Sequence, residues 1–331
     1  MISYKILVTG AAGFVGFHLS KLLASKGVSV IGIDSLNEYY DVQLKFDRLK
    51  ILKEISNFTF RCVNICDKDA LDELFQKEKF DVVINLAAQA GVRYSIDKPY
   101  KYIDSNLIGF INILEACRNN PVKHLIYASS SSVYGNTIEV PFSVKNRTDE
   151  PVSLYAATKK ANEMMAHSYA ALYKIPMTGL RFFTVYGPWG RPDMAYFSFT
   201  NKIVNGETIQ VYNHGDMERD FTYIDDITTA IEKLINLPFD TPEEQDKPYR
   251  LFNIGNNKPV RLMDFISTLE KHLGKEAPKK FLPMQKGDVY RTYADITDLE
   301  TRINFKPHTS IDEGLGKFVS WYKDYYKIKL V

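Results

Sequence analysis

The sequence predicts an α/β protein with a doubly wound parallel sheet, followed by a smaller mixed α/β lobe toward the C-terminus. Three observations predict this class. Apolar runs recur through the first half, helical periodicity fills the gaps between them, and this rhythm breaks after residue 185. Short continuous apolar runs are typical of parallel strands buried on both faces, and their alternation with amphipathic stretches is typical of strands joined by helices.

The predicted strands are short runs of mainly apolar residues, and they cover residues 5–9, 28–34, 59–63, 82–86, 124–128 and 177–183. The predicted helices have apolar positions at helical spacing, and they cover residues 17–24, 68–77, 103–118 and 155–173. Residues 35–56 are interpreted as a long polar and aromatic connection. Pro188, Gly190 and Pro192 mark an irregular loop after the last strand. We therefore expect a first domain over 1–185, to which some later segments return, and a substrate lobe over 186–331.

A glycine-rich corner between the first strand and the first helix carries the strongest functional signal. Gly10, Gly13 and Gly16 directly follow an apolar run and directly precede an amphipathic stretch. Without Cβ atoms the backbone can approach a pyrophosphate closely, and the N–H groups of a helix N-terminus bind that anion. Asp34 ends the next apolar run, where an acid accepts both ribose hydroxyls of NAD and repels the 2′-phosphate of NADP. The corner therefore predicts a Rossmann-type site for NAD.

Composition and charge argue against several classes of function. The 331 residues carry a net charge of +2, so no general attraction to nucleic acid or to an anionic membrane is expected. Cys62, Cys66 and Cys117 have no second ligand pair nearby, so we expect reduced thiols, no metal site and a cytoplasmic protein. The first strand begins too early for a signal peptide, and no apolar run approaches membrane-spanning length.

Two further motifs carry groups that are suited to proton transfer. Tyr155 and Lys159 are four residues apart in a predicted helix, so they lie on one face, one turn from each other. A nearby ammonium favours the phenolate form of a tyrosine, whose ordinary pKa of about 10 makes it a poor base at neutral pH. The serines at 129–132 follow the strand predicted over 124–128, so their hydroxyls emerge at the strand edge where ligands bind in such sheets.

With the glycine corner, the serine cluster and the Tyr-x-x-x-Lys pair in this order, the chain resembles the extended short-chain dehydrogenase/reductases. The Gly-x-x-Gly-x-x-Gly spacing is typical of that group. Further stretches resemble the bacterial UDP-glucuronate 4-epimerases of capsule and surface-polysaccharide synthesis, and they cover residues 34–49, 85–99, 180–195, 215–227 and 286–296. The resemblance extends over nearly the whole chain. It implies an isomerase that interconverts UDP-glucuronate and UDP-galacturonate by oxidation at C4, rotation of the 4-keto sugar and re-reduction.

The resemblance also implies roles for particular residues at the cofactor. Tyr155 would be the general base, and Lys159 would bind the nicotinamide ribose and lower the pKa of the tyrosine. The other residues implied to contact NAD are Gly10, Ala12, Gly13, Phe14, Val15, Gly16, Asp34, Asn37, Asn64, Ile65, Leu86, Ala87 and Ala88. The NAD would be regenerated in each turnover and would therefore stay tightly bound.

At the UDP-sugar, Ser130 matches the catalytic serine or threonine of the family, while Ser131 and Ser132 remain open as alternatives. Thr184 and Arg191 are expected to hold the C6 carboxylate, since an Asn usually occupies the position of Thr184 in UDP-galactose epimerases. The remaining implied contacts are Gln210 and Tyr212 at the uridine, and Arg219 and Arg291 at the diphosphate.

Three alternatives remain open: a UDP-glucose or UDP-N-acetylglucosamine 4-epimerase, a UDP-glucuronate decarboxylase, and an NAD-binding regulator without catalysis. A sugar 4,6-dehydratase is disfavoured because Ser131 and Ser132 stand where that reaction needs an added acid–base pair. The resemblance also implies a homodimer that is built from the helices predicted over 103–118 and 155–173. Both stretches carry apolar residues on more than one face, as interface helices do.

Overall fold

The structure is a computed structural model that describes residues 4–284 and 289–328. Residues 286–288 of one family-like stretch thus lie outside the described residues. The strands are β1 Lys5–Thr9, β2 Ser29–Asp34, β3 Phe58–Cys62, β4 Val82–Asn85, β5 His124–Ser130, β6 Met177–Phe182, β7 Thr184–Tyr186, β8 Ile209–Val211, β9 Glu218–Tyr223, β10 Tyr249–Ile254, β11 Pro259–Arg261 and β12 Lys279–Phe281. The α-helices are α1 Phe14–Ser25, α2 Val42–Lys53, α3 Lys68–Glu78, α4 Tyr94–Asp97, α5 Pro99–Tyr102, α6 Gly109–Asn119, α7 Leu154–Tyr173, α8 Ala195–Asn205, α9 Ile224–Ile235, α10 Pro242–Asp246, α11 Leu262–Leu273, α12 Thr297–Ile303 and α13 Ile311–Tyr326.

Parallel strands form the central sheet in the order β10-β6-β5-β4-β1-β2-β3. Apolar side chains of α1, α2 and α9 pack on one face of this sheet, and those of α3, α6 and α7 pack on the other. The predicted doubly wound α/β class is confirmed. The strand order reverses between β1 and β4, and such a reversal leaves a crevice at the carboxyl ends of the strands where ligands bind.

Two smaller sheets form the mixed C-terminal part of the molecule. In one sheet β9 lies between β7 and β11, parallel to the first and antiparallel to the second. In the other, β8 and β12 run parallel. Strand β10 returns to the central sheet from this part of the chain, beside β6. The domain boundary between residues 185 and 186 stays a prediction.

The interpretation of residues 35–56 as a connection is wrong, because α2 occupies most of that stretch. Asp41 caps this helix by accepting a hydrogen bond from the Gln43 N–H group at 2.9 Å. The buried side chains of α2 form one stripe, and they are Leu44, Lys45, Arg48, Leu49 and Leu52. Two of them are cations, so the apolar periodicity that identifies a helix in a sequence is interrupted here. The helix predicted over 103–118 is also divided, since Ile103–Ile108 forms a π-helical turn before α6.

A buried ion pair fixes α7 to the central sheet. Arg181 on β6 donates through Nε and Nη2 to the two carboxylate oxygens of Glu163, both at 2.8 Å. Ser129 on β5 donates to the same carboxylate at 2.7 Å. Because Glu163 lies one turn beyond Lys159 and two turns beyond Tyr155, this pair orients the helix face that carries both residues.

In the described part of the chain, no helix has both the length and the apolar character needed to cross a membrane. Exposed apolar side chains do lie on the helical segments from α4 to α7, and they are Ile96, Tyr100, Ile108, Met164, Leu172 and Tyr173. These segments include the helices from which the sequence predicts a homodimer. The homodimer stays a prediction.

Replacing Arg181 by Met should lower the free energy of unfolding by about 3–5 kcal/mol, because the Glu163 carboxylate would stay buried without its cation. Urea unfolding, followed by circular dichroism, measures this difference. Arg118→Met is the matched control, since the pair of Arg118 and Glu115 is partly exposed, at 43% and 29%. That change should cost less than about 1 kcal/mol. Equal losses in the two variants would contradict an anchoring role for the buried pair.

Candidate active site

A cavity of about 470 Å³ opens at the carboxyl ends of the central strands. Most of the residues that the sequence singles out line it. These are Gly10, Gly13, Phe14, Val15, Gly16, Asp34, Asn37, Asn64, Ile65, Leu86, Ala87, Ala88, Ser130, Ser131, Tyr155, Lys159, Thr184, Arg191 and Arg219. The sequence-predicted residues outside the described lining are Ala12, Gln210, Tyr212 and Arg291.

The glycine corner leaves room for a ligand because side chains are missing where the backbone is tightest. Gly10 has a φ of +70°, and a Cβ atom there would lie 2.9 Å from the Ala87 nitrogen. A Cβ atom on Gly16 would collide with the Gly10 carbonyl oxygen. No side chain in the described structure caps α1, and its first turn holds no acid. The N–H groups of that turn are therefore available to an anion such as a pyrophosphate.

The carboxylate of Asp34 lies at the end of β2, beside this corner. It accepts hydrogen bonds from the N–H groups of Ala12 at 3.2 Å and of Leu36 at 2.8 Å. Lys45 on α2 places its ammonium 4.0 Å from the same carboxylate and donates to the Asn37 side chain at 2.9 Å. Burial lowers the pKa of Lys45, while Asp34 opposes that shift. Lys45 lines the cavity and is a site residue that the sequence did not indicate.

These features fit an NAD molecule. The corner provides the close approach that a pyrophosphate needs, and Asp34 provides an acceptor at the position of the adenosine ribose. Ala12 reaches this site only through its backbone, because its N–H group binds Asp34.

Lys159 points from α7 to the end of β5. Its ammonium donates to the Ala128 carbonyl oxygen at 2.8 Å, and burial lowers the pKa of Lys159 to about 8. That contact holds the lysine directly beside the cavity, where a cofactor ribose could be a further acceptor.

Tyr155 lies on the same face of α7 as Lys159, one turn earlier in the helix, and its phenol lies beside Ser130. Burial raises the pKa of Tyr155, while the Ser130 hydroxyl and the positive charge of Arg191 oppose that rise. The positive charge of Arg191 thus acts on the phenol, and the effect of Lys159 on the pKa of Tyr155 stays a prediction. Ser130 itself accepts hydrogen bonds from the hydroxyl of Ser132 at 2.9 Å and from its N–H group at 3.2 Å. Ser130 is therefore the serine of this cluster that meets the phenol.

Arg191 is held by a carboxylate two residues away. Its Nε and Nη2 atoms donate to the Asp193 oxygens at 3.0 and 2.7 Å, and Tyr39 donates to the same carboxylate at 3.1 Å. Despite burial, the pairing with Asp193 raises the pKa of Arg191. Asp193 occupies one edge of the guanidinium, so the Nη1 amino group can serve another acceptor. Thr184, at the start of β7, lines the same cavity.

The four residues expected at the uridine diphosphate are spread over the smaller sheets. Arg219 lines the cavity and donates to the Glu218 carbonyl oxygen at 3.0 Å. Arg291 forms an ion pair with the Glu218 carboxylate. Tyr212 donates to the Gln210 side chain at 2.8 Å, next to β8. The structure thus brings Arg219 to the cavity, while the other three lie outside its described lining.

Asn106 is a second residue that the sequence did not indicate. It lies buried in the π-helical turn, where its side chain accepts from the Gln89 N–H group at 2.8 Å and donates to Thr158 at 3.0 Å. Its carbonyl oxygen accepts from Asn162 at 2.6 Å. It thereby joins a cavity-lining loop to α7. In the sequence it directly follows Asp104 and Ser105, and nothing in this short polar run distinguishes it from them.

A dinucleotide-type glycine corner and a Tyr–Lys pair at one sheet edge define a protein of the short-chain dehydrogenase/reductase class. The family model for the NAD dependent epimerase/dehydratase family matches residues 6–255. The chain therefore belongs to that family, and its cofactor is NAD, as the sequence predicts.

Individual relatives match along nearly the whole chain. Protein CapI of Staphylococcus aureus is 56% identical over 333 residues, which is 98% of this chain and 99% of CapI. UDP-glucuronate 4-epimerase 2 of Arabidopsis thaliana is 47% identical over 333 residues, which is 98% of this chain and 76% of that protein. The crystal structure of UDP-glucuronic acid 4-epimerase from Bacillus cereus, in complex with UDP-glucuronic acid and NAD, superposes with a TM-score of 0.89. The two sequences are 35% identical, and the superposition covers 97% of this chain and 100% of the Bacillus cereus chain.

Replacing Gly10 by Ala should weaken NAD binding at least about 10-fold, because the new Cβ atom would press on Ala87 and fill the pyrophosphate cradle. Gly274→Ala is the matched control. Gly274 has a φ of +69°, so it carries the same backbone strain, but no atom lies within 4 Å of its Cβ position. Calorimetric titration of NAD-free protein with NAD measures the affinities. Equal affinities of the two variants would rule out the corner as the cofactor cradle.

Proposed function

We propose that this protein is a UDP-glucuronate 4-epimerase, which interconverts UDP-glucuronate and UDP-galacturonate. The observation that carries the proposal is the position of Arg191. This cation lines the same cavity as Tyr155 and Ser130, and its charge acts on the Tyr155 phenol. A neutral hexose offers only an uncharged hydroxyl at C6, whereas a uronate offers a carboxylate that matches the charge of the guanidinium. The relatives named UDP-glucuronate 4-epimerase support the same substrate.

The chain's own residues manage the proton at C4. Tyr155, as phenolate, takes the proton of the C4 hydroxyl, and the neighbouring Ser130 hydroxyl hydrogen-bonds the same oxygen. Bound NAD supplies a reversible hydride acceptor beside this site. After the 4-keto sugar has rotated about its diphosphate linkage, hydride would return to the opposite face of C4 while Tyr155 gives the proton back to the C4 oxygen. Arg219, which lines the same cavity, is assigned to anchor the diphosphate during this rotation.

The carboxylate at C6 creates a chemical problem that the site must solve. Once C4 is a ketone, the sugar is a β-keto acid, which loses CO₂ when its C5–C6 bond aligns with the carbonyl π system. We assign Thr184 and the Nη1 group of Arg191 to the carboxylate. Because Asp193 and Tyr39 fix the guanidinium, its remaining donors point in one direction and keep the carboxylate out of that alignment.

Incubation of the purified protein with UDP-glucuronate, without added NAD, should yield UDP-galacturonate in an NMR time course. Turnover without added NAD is expected because a cofactor that is regenerated each cycle can stay bound. Formation of a UDP-pentose with CO₂ would instead identify a decarboxylase. Conversion of neutral UDP-sugars alone would exclude a UDP-uronate as the substrate.

In the same assay, Tyr155→Phe should slow epimerisation at least about 100-fold, since it removes the group that moves the C4 proton. The phenyl ring keeps the packing against Tyr102, so binding of UDP-glucuronate should be retained. Calorimetry on the variant checks this. An unimpaired rate would exclude Tyr155 as the general base.

Replacing Arg191 by Ala should raise the Kd for UDP-glucuronate about 10- to 100-fold and change the Kd for UDP less than about 3-fold. The difference arises because the guanidinium is assigned to the sugar carboxylate and not to the nucleotide. Arg191→Lys keeps the charge but loses the two-edged fork of the guanidinium, so its Kd for UDP-glucuronate should lie between those of the wild type and of Arg191→Ala. Equal weakening of both ligands would argue against carboxylate recognition by this residue.

A further inference from the structure

Consecutive backbone carbonyls just before Arg191 accept hydrogen bonds from side chains of α1 and α2. These carbonyls belong to Pro188, Trp189 and Gly190, and we call this three-residue segment the strap. His18 Nε2 on α1 lies 2.9 Å from the first of them. Arg48 Nη2 on α2 donates to the second at 2.6 Å and to the third at 3.1 Å. The chain that leads into Arg191 is thus bound to the two helices that flank the cofactor corner.

The other half of the Arg48 guanidinium binds the cofactor corner itself. Its Nη1 atom donates to the Ala12 carbonyl oxygen and to the Tyr40 hydroxyl, both at 2.8 Å. Arg48 is fully buried and lies outside the described lining of the cavity. One planar guanidinium therefore bridges the glycine corner and the strap, which a lysine ammonium could not do from a single position.

His18 acts as a neutral donor in this arrangement. Burial lowers the pKa of His18 to about 3, so the imidazole is uncharged at neutral pH. The Pro188 carbonyl can only accept, so Nε2 carries the proton. The rings of Phe14 and Phe17 pack edge-on against the imidazole and hold it in place.

The strap has a backbone conformation that needs external support. Trp189 has a φ of +59°, in the left-handed region that disfavours residues with a side chain. Its ring packs against Phe17, Trp321 and Tyr325, with centroid distances of 5.6, 5.3 and 5.1 Å. Hydrogen bonds on one side and aromatic packing on the other thus keep the strap in this conformation.

We infer that Arg48 is a positioning residue for substrate selectivity. It fixes the strap against the glycine corner and thereby places the Arg191 guanidinium where the C6 carboxylate of the sugar binds. This role rests on the proposed function. Recognition of a charged sugar then depends on a buried side chain that touches neither substrate nor reacting atoms, and the cofactor site and the carboxylate site share one support.

A double-mutant cycle on the NAD-loaded protein tests this role. Arg48→Met should raise the Kd for UDP-glucuronate about 10-fold and change the Kd for UDP less than about 3-fold. In the Arg191→Ala background, Arg48→Met should cause no further loss, because Arg48 acts through Arg191. Additive losses in the double variant would overturn the inference.

Arg250→Met is the matched control. Arg250 is also buried, and it donates to two consecutive carbonyl oxygens, of Leu237 and Pro238, both at 2.8 Å. It lies at the amino end of β10, away from the carboxyl edge where the cavity opens. The Kd values for both ligands should be unchanged. If this variant reproduced the loss of selectivity, the effect of Arg48→Met would be a general consequence of losing a buried guanidinium, and the inference would fail.

His18→Phe keeps an aromatic ring at the strap and removes its hydrogen bond, so it remains informative if Arg48→Met does not fold. Selectivity should fall in the same direction and by less. The chain has two tryptophans, Trp189 and Trp321, and both lie at the strap, so tryptophan emission reports its geometry. Emission should shift to the red in the Arg48→Met and His18→Phe variants and stay unchanged in Arg250→Met. Lost selectivity with unchanged emission would contradict positioning through the strap.

The wild-type protein separates the two ways in which the experiment can fail. A wild type that converts neutral UDP-sugars but not UDP-glucuronate would overturn the proposed function and, with it, the role of Arg48 in selectivity. A selective wild type beside an equally selective Arg48→Met variant would overturn the positioning role alone.

Discussion

The site depends on the buried ion pair of Glu163 and Arg181, because this pair fixes the register of α7 against β5 and β6. A buried ion pair adds little net stability compared with a well-packed apolar core, but it permits few alternative arrangements. Here both carboxylate oxygens are used, and Ser129 supplies a third donor. The position of Tyr155, two turns earlier on the same helix face, relative to the end of β5 follows from that register.

Local signals in the sequence were sufficient for the sheet and for its cofactor edge. Each strand predicted in the first half lies within a few residues of its place in the structure, and the glycine corner and the Tyr–Lys pair lie at one cavity. These features are encoded within short windows, as glycine spacing or helical phase. Helix α2 was missed because Lys45 and Arg48 belong to its buried stripe. Three of the four groups that accept hydrogen bonds from Arg48 lie 36, 141 and 142 residues away, so local sequence patterns did not identify it as a core residue.

The electrostatic interactions of the site also depend on residues that are distant in the sequence. Helical spacing correctly placed Lys159 one turn from Tyr155, but the structure directs its ammonium to the Ala128 carbonyl oxygen. A charge that lowers the pKa of the phenol comes from Arg191, within the irregular loop between β7 and α8, where sequence spacing carries no geometric information. The residues expected at the uridine are equally hard to place from the sequence, because Gln210 lies on β8 and Tyr212 directly follows it, and β8 pairs with β12, about 70 residues further along the chain.

The pairing of Arg191 with Asp193 has a consequence for the proposed reaction. A sugar that rotates between two hydride transfers has to release its carboxylate and bind it again. A lone guanidinium in a cavity of low dielectric would hold a carboxylate strongly, and its release would then limit turnover. Asp193 already neutralises much of the charge of Arg191 and leaves hydrogen-bond donors on one side. The contact to the substrate is then directional but only moderately strong. Such a contact can select a uronate only if the guanidinium does not move. Because Asp193 weakens the attraction between Arg191 and the carboxylate, selectivity depends on the strap that holds Arg191 in place.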